Sequence, residues 1–364
     1  MPPETLFKYI AVRAMIGIGG LLLILASLVL LIDLIENLRF VGKLSDGSFG
    51  LAVSLTLLRA PALTQALIPF VFLFGSIWMF YQLNRRSELS VMRSAGLSIW
   101  RLLGPAGFIA ALVGVLIITV IDPISSTLLS YAEQVKTRIE GKPDDVVRLF
   151  EDGIWLRQRD ATGQIIVNAK NLDTENGSLG QATVWRFGPG NTFLERIDAD
   201  QAMMSGSTME LSDARLTSIS DQRQLRTPIY AINTALTVKD LSERVIPPET
   251  MSLWQLPRYI LMAEAAGLPT ARYHIRFHDL SSTPLKLLAM VLIAAAFSLR
   301  PTRLGGALQL IVASVGAGFL LYILSEISTA LGESGLAPAA LAAWTPAVVA
   351  TLAAVTALLH MEEG

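Results

Sequence analysis

Six segments of the chain are apolar over almost their whole length and carry little or no charge. They cover residues 14–32, 60–83, 102–121, 281–299, 304–325 and 334–361. Each is close to or above the roughly 20 residues that an α-helix needs to cross the hydrocarbon core of a bilayer. The fourth segment contains Lys286 near its start, where a long side chain can reach the interface. The pattern therefore predicts six transmembrane helices, three before and three after a long insert.

Within the insert, apolar and polar positions alternate in short segments. Residues 153–159, 164–170, 183–187, 192–198 and 209–219 follow the period of half-buried strands, and Gly-containing turns follow the first and third of them. Residues 128–139 and 252–266 flank these strands as helices. The spacing predicts an inserted β domain, an open sandwich or a jelly roll. We expect helices one to three in 1–122, the β domain with its flanking helices in 123–280, and helices four to six in 281–364.

Basic residues in the short loops predict the orientation of these helices. They concentrate on one side of the predicted bundle, as Lys8, Arg13, Arg85, Arg86, Arg93, Arg101, Arg300 and Arg303. Short loops rich in Lys and Arg stay in the cytoplasm. Both termini are therefore expected to be cytoplasmic, and residues 123–280 are expected on the opposite side.

The overall composition excludes several classes of protein. Of 364 residues, 52% are hydrophobic and 16% are charged, the net charge is -1, and cysteine is absent. Soluble domains carry about 25% charged residues, so a simple cytosolic enzyme is excluded. Because the charge is balanced, the sequence shows no excess of basic residues that would indicate a nucleic-acid partner. Without cysteine, thiolate metal sites and iron–sulfur clusters are also excluded.

The sequence offers little chemistry of its own. The Gly-Lys pairs at 42–43 and 141–142 lack the rest of a phosphate-binding loop, so we expect ATP hydrolysis in another chain. His274 and His278 have the spacing of two metal ligands on a helix, but the glutamate of the usual motif is absent. A hydrolase using His278 with Ser281 or Ser282 remains a minor alternative. We predict no catalytic residue, cofactor or metal site in this chain.

Ionisable residues within or beside the apolar segments lie near one end of each. Asp33, Asp122 and Glu326 are all placed toward the external ends, where we expect interfacial water to solvate them. A proton-driven carrier needs ionisable groups deeper in the bilayer. The energy source is therefore expected outside this polypeptide.

The loop after the second apolar segment is a possible docking point for such an energy source. Ser87 can cap a short helix, Glu88 suits its first turn, Leu89 and Met92 share a face, and Gly96 can end it. An acidic residue beside apolar side chains suits a groove on another protein. The alternative is an amphipathic connector that lies on lipid headgroups.

This loop carries a resemblance to a known family. The pattern Arg86-Ser87-Glu88-Leu89-x-Val91-Met92 followed by Gly96 resembles the coupling-helix signature of the lipopolysaccharide export permeases, the LptF/LptG family. The resemblance extends over essentially the whole chain. Residues 9–10, 33–36, 153–157 and 294–300 resemble the LptG branch more closely.

The resemblance implies a fold and a set of partners. The family fold is a polytopic inner-membrane protein with six transmembrane helices and a periplasmic β-jelly-roll between the third and fourth. Its members work as permease subunits of an ABC-type exporter that extracts lipopolysaccharide from the periplasmic leaflet. The implied partners are an LptF-like second permease, an LptB-like ATPase dimer that uses ATP and Mg²⁺, an LptC-like single-span protein and an LptA-like periplasmic bridge. The resemblance and the hydropathy pattern therefore predict the same fold class, an α-helical membrane protein with an inserted β domain.

The resemblance also implies roles for particular residues. A coupling helix at about 86–96 would contact the ATPase through Arg86, Ser87, Glu88, Leu89 and Met92. Family members place basic residues near the external end of the first span, where Arg39 and Lys43 lie. Together with Lys286 at another span end, they are the expected contacts of lipid A phosphates, and the alternative is that each anchors its helix by snorkelling to the interface. The alternative function is a scaffold subunit that couples a cytoplasmic ATPase to a periplasmic partner without carrying lipid itself.

Overall fold

The computed structural model describes residues 3–44, 47–139, 146–150, 153–160, 163–173, 176–205, 208–218, 224–234, 247–299 and 307–363. The chain divides into two compact units, one of Met1–Ala132 with His274–Gly364 and one of Glu133–Tyr273. Both borders lie inside the expected insert 123–280. Arg300 and Arg303, on which part of the orientation argument rests, lie outside the described residues.

The described helices account for most of the first unit and flank the sheet of the second. They are α1 Pro3–Val41, α2 Phe49–Arg85, α3 Glu88–Ser94, α4 Ile99–Leu116, α5 Asp122–Ile139, α6 Leu256–Ala265, α7 Ala271–Ser281, α8 Thr283–Ser298, α9 Ala307–Glu333 and α10 Ala339–Glu363. Among the described residues, 5 helices are long and apolar enough to cross a membrane, or up to 6 if one bent pair counts as a span.

The bent pair is the predicted fourth span. Helix α8 has 16 residues, which gives a length of about 24 Å against a hydrocarbon core of about 30 Å. It reaches a spanning length only together with α7, from which it is bent by 53°. Pro284 stands at the start of α8 and has no backbone N–H to continue the helix. The predicted straight span over 281–299 is therefore broken at its beginning.

The third predicted span is distorted where it meets Asp122. Residues Ile117–Ile121 form a π-turn, and the backbone N–H of Asp122 donates to the carbonyl of Ile117. Pro123 follows directly and cannot donate to the helix ladder. A π-turn is one of the recognised ways to accommodate such an interruption, and such turns are frequent at functional sites.

Helix α8 forms the centre of the first unit. It packs against α2, α4, α9 and α10, and its buried residues are Leu287, Ala289, Met290, Val291, Leu292, Ile293, Ala294, Ala295 and Ala296. A helix that is apolar on all sides is suited to such a central position.

Helix α1 lies at the edge of the same unit. Its most apolar window is 11% buried, against 50% for α2. It touches α2 closely at Gly75, where an added Cβ would lie 2.8 Å from the Cα of Ile18. In the same way, a Cβ added at Gly17 would lie 2.9 Å from the carbonyl oxygen of Gly75. Small residues at this crossing let the two backbones meet.

The second unit contains one antiparallel sheet. Its strands are β1 Val146–Phe150, β2 Gly153–Asp160, β3 Gly163–Asp173, β4 Ser178–Phe187, β5 Phe193–Ser205, β6 Thr208–Ser218 and β7 Gln224–Asn233, and each pairs with the next along the chain. The predicted strands fall within β2 to β6 apart from two end residues: Thr192 directly precedes β5, and Ile219 lies outside the described residues. Strands β1 and β7 were not predicted, because their short segments lie next to polar loops without a clear alternation.

The sheet is rolled. Strands β2 and β7 are five strand steps apart in the sheet, which would separate them by about 24 Å if it were flat. Yet Thr234 Oγ1, directly after β7, donates to Gln158 Oε1 of β2 at 2.9 Å. The regular pairing between strands is interrupted along one row of residues that crosses the sheet. This row includes Gln181 and Asp213, whose φ angles are positive (49° and 53°). Local distortions of this kind let a sheet curve.

Candidate coupling and lipid-binding sites

The segment 86–96 folds as a sharp connection followed by a short helix. Arg86 ends α2, and Ser87 adopts a positive φ of 57° before α3 begins at Glu88. The Ser87 carbonyl accepts from Val91 N at 3.1 Å. Gly96 has φ 78° and follows the end of α3, a conformation that glycine adopts without strain. The predicted helix is present, and its beginning depends on the Ser87 backbone.

Glu88 is held by the first helix of its own chain. Tyr9 Oη donates to Glu88 Oε2 at 2.7 Å, and Arg13 lies 3.5 Å from Glu88 Oε1. Arg13 also donates to Tyr9 Oη at 2.6 Å, and its guanidinium lies 5.1 Å from the centre of the Tyr9 ring. The sequence argument missed Arg13 in this role, and it used Tyr9 only as part of the family resemblance. The separation of 79 residues between Tyr9 and Glu88 hides such a contact from local patterns.

The apolar face of α3 points toward the helical unit. Leu89 is 5% exposed. With Met92 it lines a small apolar cavity that also includes Leu6, Leu97, Ser98, Ile99, Leu102 and Leu299. The expectation that Leu89 and Met92 protrude as contacts for another protein is therefore corrected. Burial of this pair fastens α3 to the core, and Arg86, Ser87 and Val91 remain exposed.

The predicted phosphate contacts divide into two kinds. Arg39 at the end of α1 and Lys43 just after it are exposed, and neither has an ion-pair partner among the described residues. Lys286 instead pairs with Asp279 of α7. An incoming phosphate would have to compete with that carboxylate for Lys286, whereas Arg39 and Lys43 are accessible.

The acidic residues expected at solvated ends are buried instead. Asp33 is 6% exposed and pairs with Arg59 at 2.9 Å, and Asn37 donates to the same carboxylate at 2.8 Å. Asp122 is 1% exposed and lies 3.3 Å from Arg276. The prediction of interfacial solvation is wrong for both, because each carboxylate lies between helices and is stabilised there by an arginine. Glu326 is exposed.

The interior of the rolled sheet is apolar and nearly filled. A cavity of about 10 Å³ is lined by Leu156, Gln158, Ile165, Val167, Met204, Met209, Ile232 and Thr234. That volume is about the minimum that a cavity needs to hold one water molecule. Gln158 and Thr234 are the polar members of this lining, and they satisfy each other through their hydrogen bond. An acyl chain could enter only if the roll opened.

The other face of the sheet carries a stack of two tryptophans and the ion pair of Arg226 with Asp213. Trp155 and Trp185 stack with ring centres 5.3 Å apart, and Arg196 lies 5.8 Å from the centre of the Trp185 ring. Tyr230 lies instead on the inward face, because it pairs in register with the buried Leu211. Burial and the neighbouring Glu195 carboxylate raise the pKa of Tyr230. The hydrogen bond from Arg226 lowers the pKa of the Asp213 carboxyl. The raised pKa keeps the Tyr230 hydroxyl neutral at neutral pH, and the lowered pKa keeps Asp213 charged.

No group of three or more His, Cys, Asp or Glu side chains suited to a metal ion occurs among the residues that the structure describes. His278 stacks edge-on against Phe277, with ring centres 5.3 Å apart. Ser281 and Ser282 each donate to a main-chain carbonyl of α7. These contacts give His278, Ser281 and Ser282 local structural roles at the bend between α7 and α8.

The chain matches known proteins over nearly its full length. Residues 8–360 match the model of the family described as lipopolysaccharide export system permease LptF/LptG. The lipopolysaccharide export system permease protein LptG of Haemophilus influenzae is 25% identical over 344 residues, covering 92% of this chain and 91% of the relative. LptG of Escherichia coli K12 is 23% identical over 335 residues, covering 90% of each. These matches confirm the resemblance drawn from the coupling segment, including its LptG character. The chain therefore belongs to the LptF/LptG family of lipopolysaccharide export permeases and is a transporter subunit, not an enzyme.

Proposed function

We propose that this chain is the LptG-like half of an exporter that extracts lipopolysaccharide from the periplasmic leaflet of the inner membrane. In this proposal the bent pair α7–α8 completes six transmembrane spans in a 3+3 arrangement. Both termini are cytoplasmic, and residues of about 123–280 are periplasmic. The rolled sheet is the jelly-roll of the family and passes lipid to a periplasmic bridge.

The observation that carries the proposal is the rolled sheet with an apolar cavity lining. Its lining is aliphatic except for one satisfied polar pair. Such a lining accepts hydrocarbon chains without leaving hydrogen bonds unmade. An amphiphile could keep its acyl chains inside the roll and its polar head outside, so the geometry supports carriage of lipid through this unit.

The cations of the helical unit support recognition of the anionic head. Arg39 and Lys43 are exposed beside one end of α1, and Arg59 and Arg276 are held by buried carboxylates. Lipid A phosphates are well matched by arginine and lysine. Arg39 and Lys43 are the first contacts in this proposal, and Lys286 contributes once it leaves Asp279.

The energy comes from partner chains in this proposal. An LptF-like permease forms the second half of a heterodimer, and an LptB-like ATPase dimer binds ATP and Mg²⁺ on the cytoplasmic side. LptC-like and LptA-like proteins continue the periplasmic path. The segment 86–96 contacts the ATPase through its exposed side, while Leu89 and Met92 anchor it to the core. Glu88 is the residue that receives the ATPase motion.

Release of lipopolysaccharide from proteoliposomes tests this assignment. The chain is reconstituted with its partner permease and ATPase, and release to a periplasmic acceptor is measured on addition of ATP. Glu88→Ala is expected to abolish most release, because an interface charge left without its partner costs about 2–5 kcal/mol. A role limited to the helix dipole would cost only about 0.3–1 kcal/mol.

The matched control is Glu4→Ala, which removes an exposed carboxylate from the first turn of α1. It is expected to leave release unchanged. Wild-type release by the Glu88→Ala complex would contradict the coupling role. ATP hydrolysis without any release by the wild-type complex would favour the scaffold alternative.

A further inference from the structure

The three side chains Tyr9, Arg13 and Glu88 form a closed network, which we name the α1–α3 latch. The Tyr9 hydroxyl donates to Glu88 at 2.7 Å and accepts from Arg13 at 2.6 Å, and Arg13 lies 3.5 Å from Glu88. Each side chain therefore contacts the other two. The network joins the first residue of α3 to the early turns of α1, where Leu6 also lines the small cavity with Leu89 and Met92.

The latch lies where water can reach it. The side chains of Arg13 and Glu88 are 23% and 26% exposed, and Tyr9 is 38% exposed. Partly solvated ion pairs contribute little net stability, so a competing cation can replace them at small cost. The Asp122 carboxylate, which is 1% exposed, offers no such access to a competing cation.

Helix α1 is suited to move when the latch changes. It is the least buried of the candidate spans and touches α2 at the glycine contact of Gly17 and Gly75. It is continuous over 39 residues, or about 58 Å. Its far end carries Arg39, an expected phosphate contact. A displacement of the Tyr9 end can therefore reach the end at which lipid is expected to bind.

We propose that Tyr9 and Arg13 are positioning residues that hold Glu88 on α1 and release it to a cation of the ATPase during the cycle. The inference rests on the proposed coupling function and deepens it, because it names the element that receives the motion. In the latched state α3 and α1 move together. In the released state Glu88 follows the ATPase, and the Tyr9 end of α1 is no longer tied to α3, while the Asp33–Arg59 pair still holds the far end of α1 to α2.

The ratio of lipopolysaccharide released to ATP hydrolysed tests the latch in the reconstituted complex. Tyr9→Phe keeps the ring and removes only the hydroxyl. It is expected to leave ATPase binding and hydrolysis unchanged and to lower the ratio about fivefold, the effect of one net hydrogen bond. Arg13→Gln is expected to act similarly, and Arg13→Lys is expected to restore most of the ratio because it keeps the charge.

The double variant Tyr9→Phe/Arg13→Gln separates one network from two independent contacts. If the residues act through one latch, the double variant falls about fivefold, whereas independent contributions would multiply to about 25-fold. The matched control is Glu362→Ala, which removes another side-chain hydrogen bond between distant segments, from Ser98 Oγ to Glu362 Oε1 at 2.5 Å, and leaves Ser98 in place. The control is expected to keep the wild-type ratio.

Four results would overturn the latch. They are a wild-type ratio in Tyr9→Phe, an equal loss in Glu362→Ala, a multiplicative double variant, and a parallel fall of hydrolysis and release that leaves the ratio unchanged. Failure of the proposed function has a different signature, because the wild-type complex itself would then show no ATP-driven release.

Discussion

The helical unit and the rolled sheet use charge in opposite ways. In the helical unit, Asp33 and Asp122 are 6% and 1% exposed and each meets an arginine. In the sheet, Arg226 and Asp213 pair on the surface, with side chains 65% and 40% exposed, and the interior is apolar. Inside a membrane nothing but protein can satisfy a charge, so pairing is obligatory there. In the sheet, the cavity lining has no charged side chain, so hydrocarbon could replace its packing once the roll opens.

Removal of a buried carboxylate is expected to have the largest effect on stability. Asp122→Ala leaves the Arg276 guanidinium without its counter-charge, which typically costs about 3–5 kcal/mol for a buried pair. Thermal unfolding of the purified chain in detergent, followed by helical circular dichroism, measures this loss.

The double variant Asp122→Leu/Arg276→Met is the control for the Asp122 prediction. It removes both charges and is expected to recover most of the stability, since no uncompensated charge remains. A single variant as stable as the wild type would mean that the pair is solvated and that the contrast between the two units is wrong.

Truncation in the sheet interior is expected to have the next largest effect. Leu156 is 1% exposed and lines the interior cavity. Leu156→Ala should cost about 2–5 kcal/mol through lost burial and a new cavity. Tryptophan fluorescence of the full chain reports this unfolding through the Trp155–Trp185 stack. Leu225→Ala, at a leucine that is 62% exposed, is the matched control and is expected to change little.

Removing the hydrogen bond between Thr234 and Gln158, which closes the roll, should have an intermediate effect on stability. Thr234→Val keeps the shape of the side chain but removes the hydroxyl, so Gln158 Oε1 loses its hydrogen bond. The expected loss is about 1–3 kcal/mol. Chemical denaturation of the full chain followed by tryptophan fluorescence measures it. Thr217→Val is a control on an exposed threonine of β6. Equal stability of the two variants would argue against a roll that this hydrogen bond closes.

Breaking the exposed ion pair of Arg226 with Asp213 should have the smallest effect on stability. The hydrogen bond from Arg226 lowers the pKa of Asp213, so the pair stabilises the folded chain above the ordinary aspartate pKa. This contribution is lost as pH falls through the lowered pKa. Asp213→Asn should therefore unfold at a slightly lower temperature than wild type at pH 7, and the difference should disappear in strong acid. A difference that grows in acid would contradict this assignment.

Sequence patterns predicted the elements better than the contacts between them. Hydropathy located the apolar helices because each residue contributes locally to the transfer free energy, and alternation located β2 to β6. The break before α8 was missed, although Pro284 is a visible signal for it. The resemblance directed attention to Glu88, but its partners on α1 were missed because tertiary contacts over such separations leave no periodic signature. The inward direction of Leu89 was missed for a related reason, since an amphipathic face does not say which neighbour it meets.

Site-specific crosslinking inside the roll tests the central claim most directly. A photoreactive phenylalanine analogue is placed at Ile165, which lines the interior, or at Trp155, which carries the outer stack. The reconstituted complex is irradiated with lipopolysaccharide, with and without ATP. The account predicts ATP-dependent crosslinks from position 165 and few from position 155. Lipopolysaccharide release without any crosslink from position 165, or equal crosslinking from both positions, would contradict carriage through the rolled sheet.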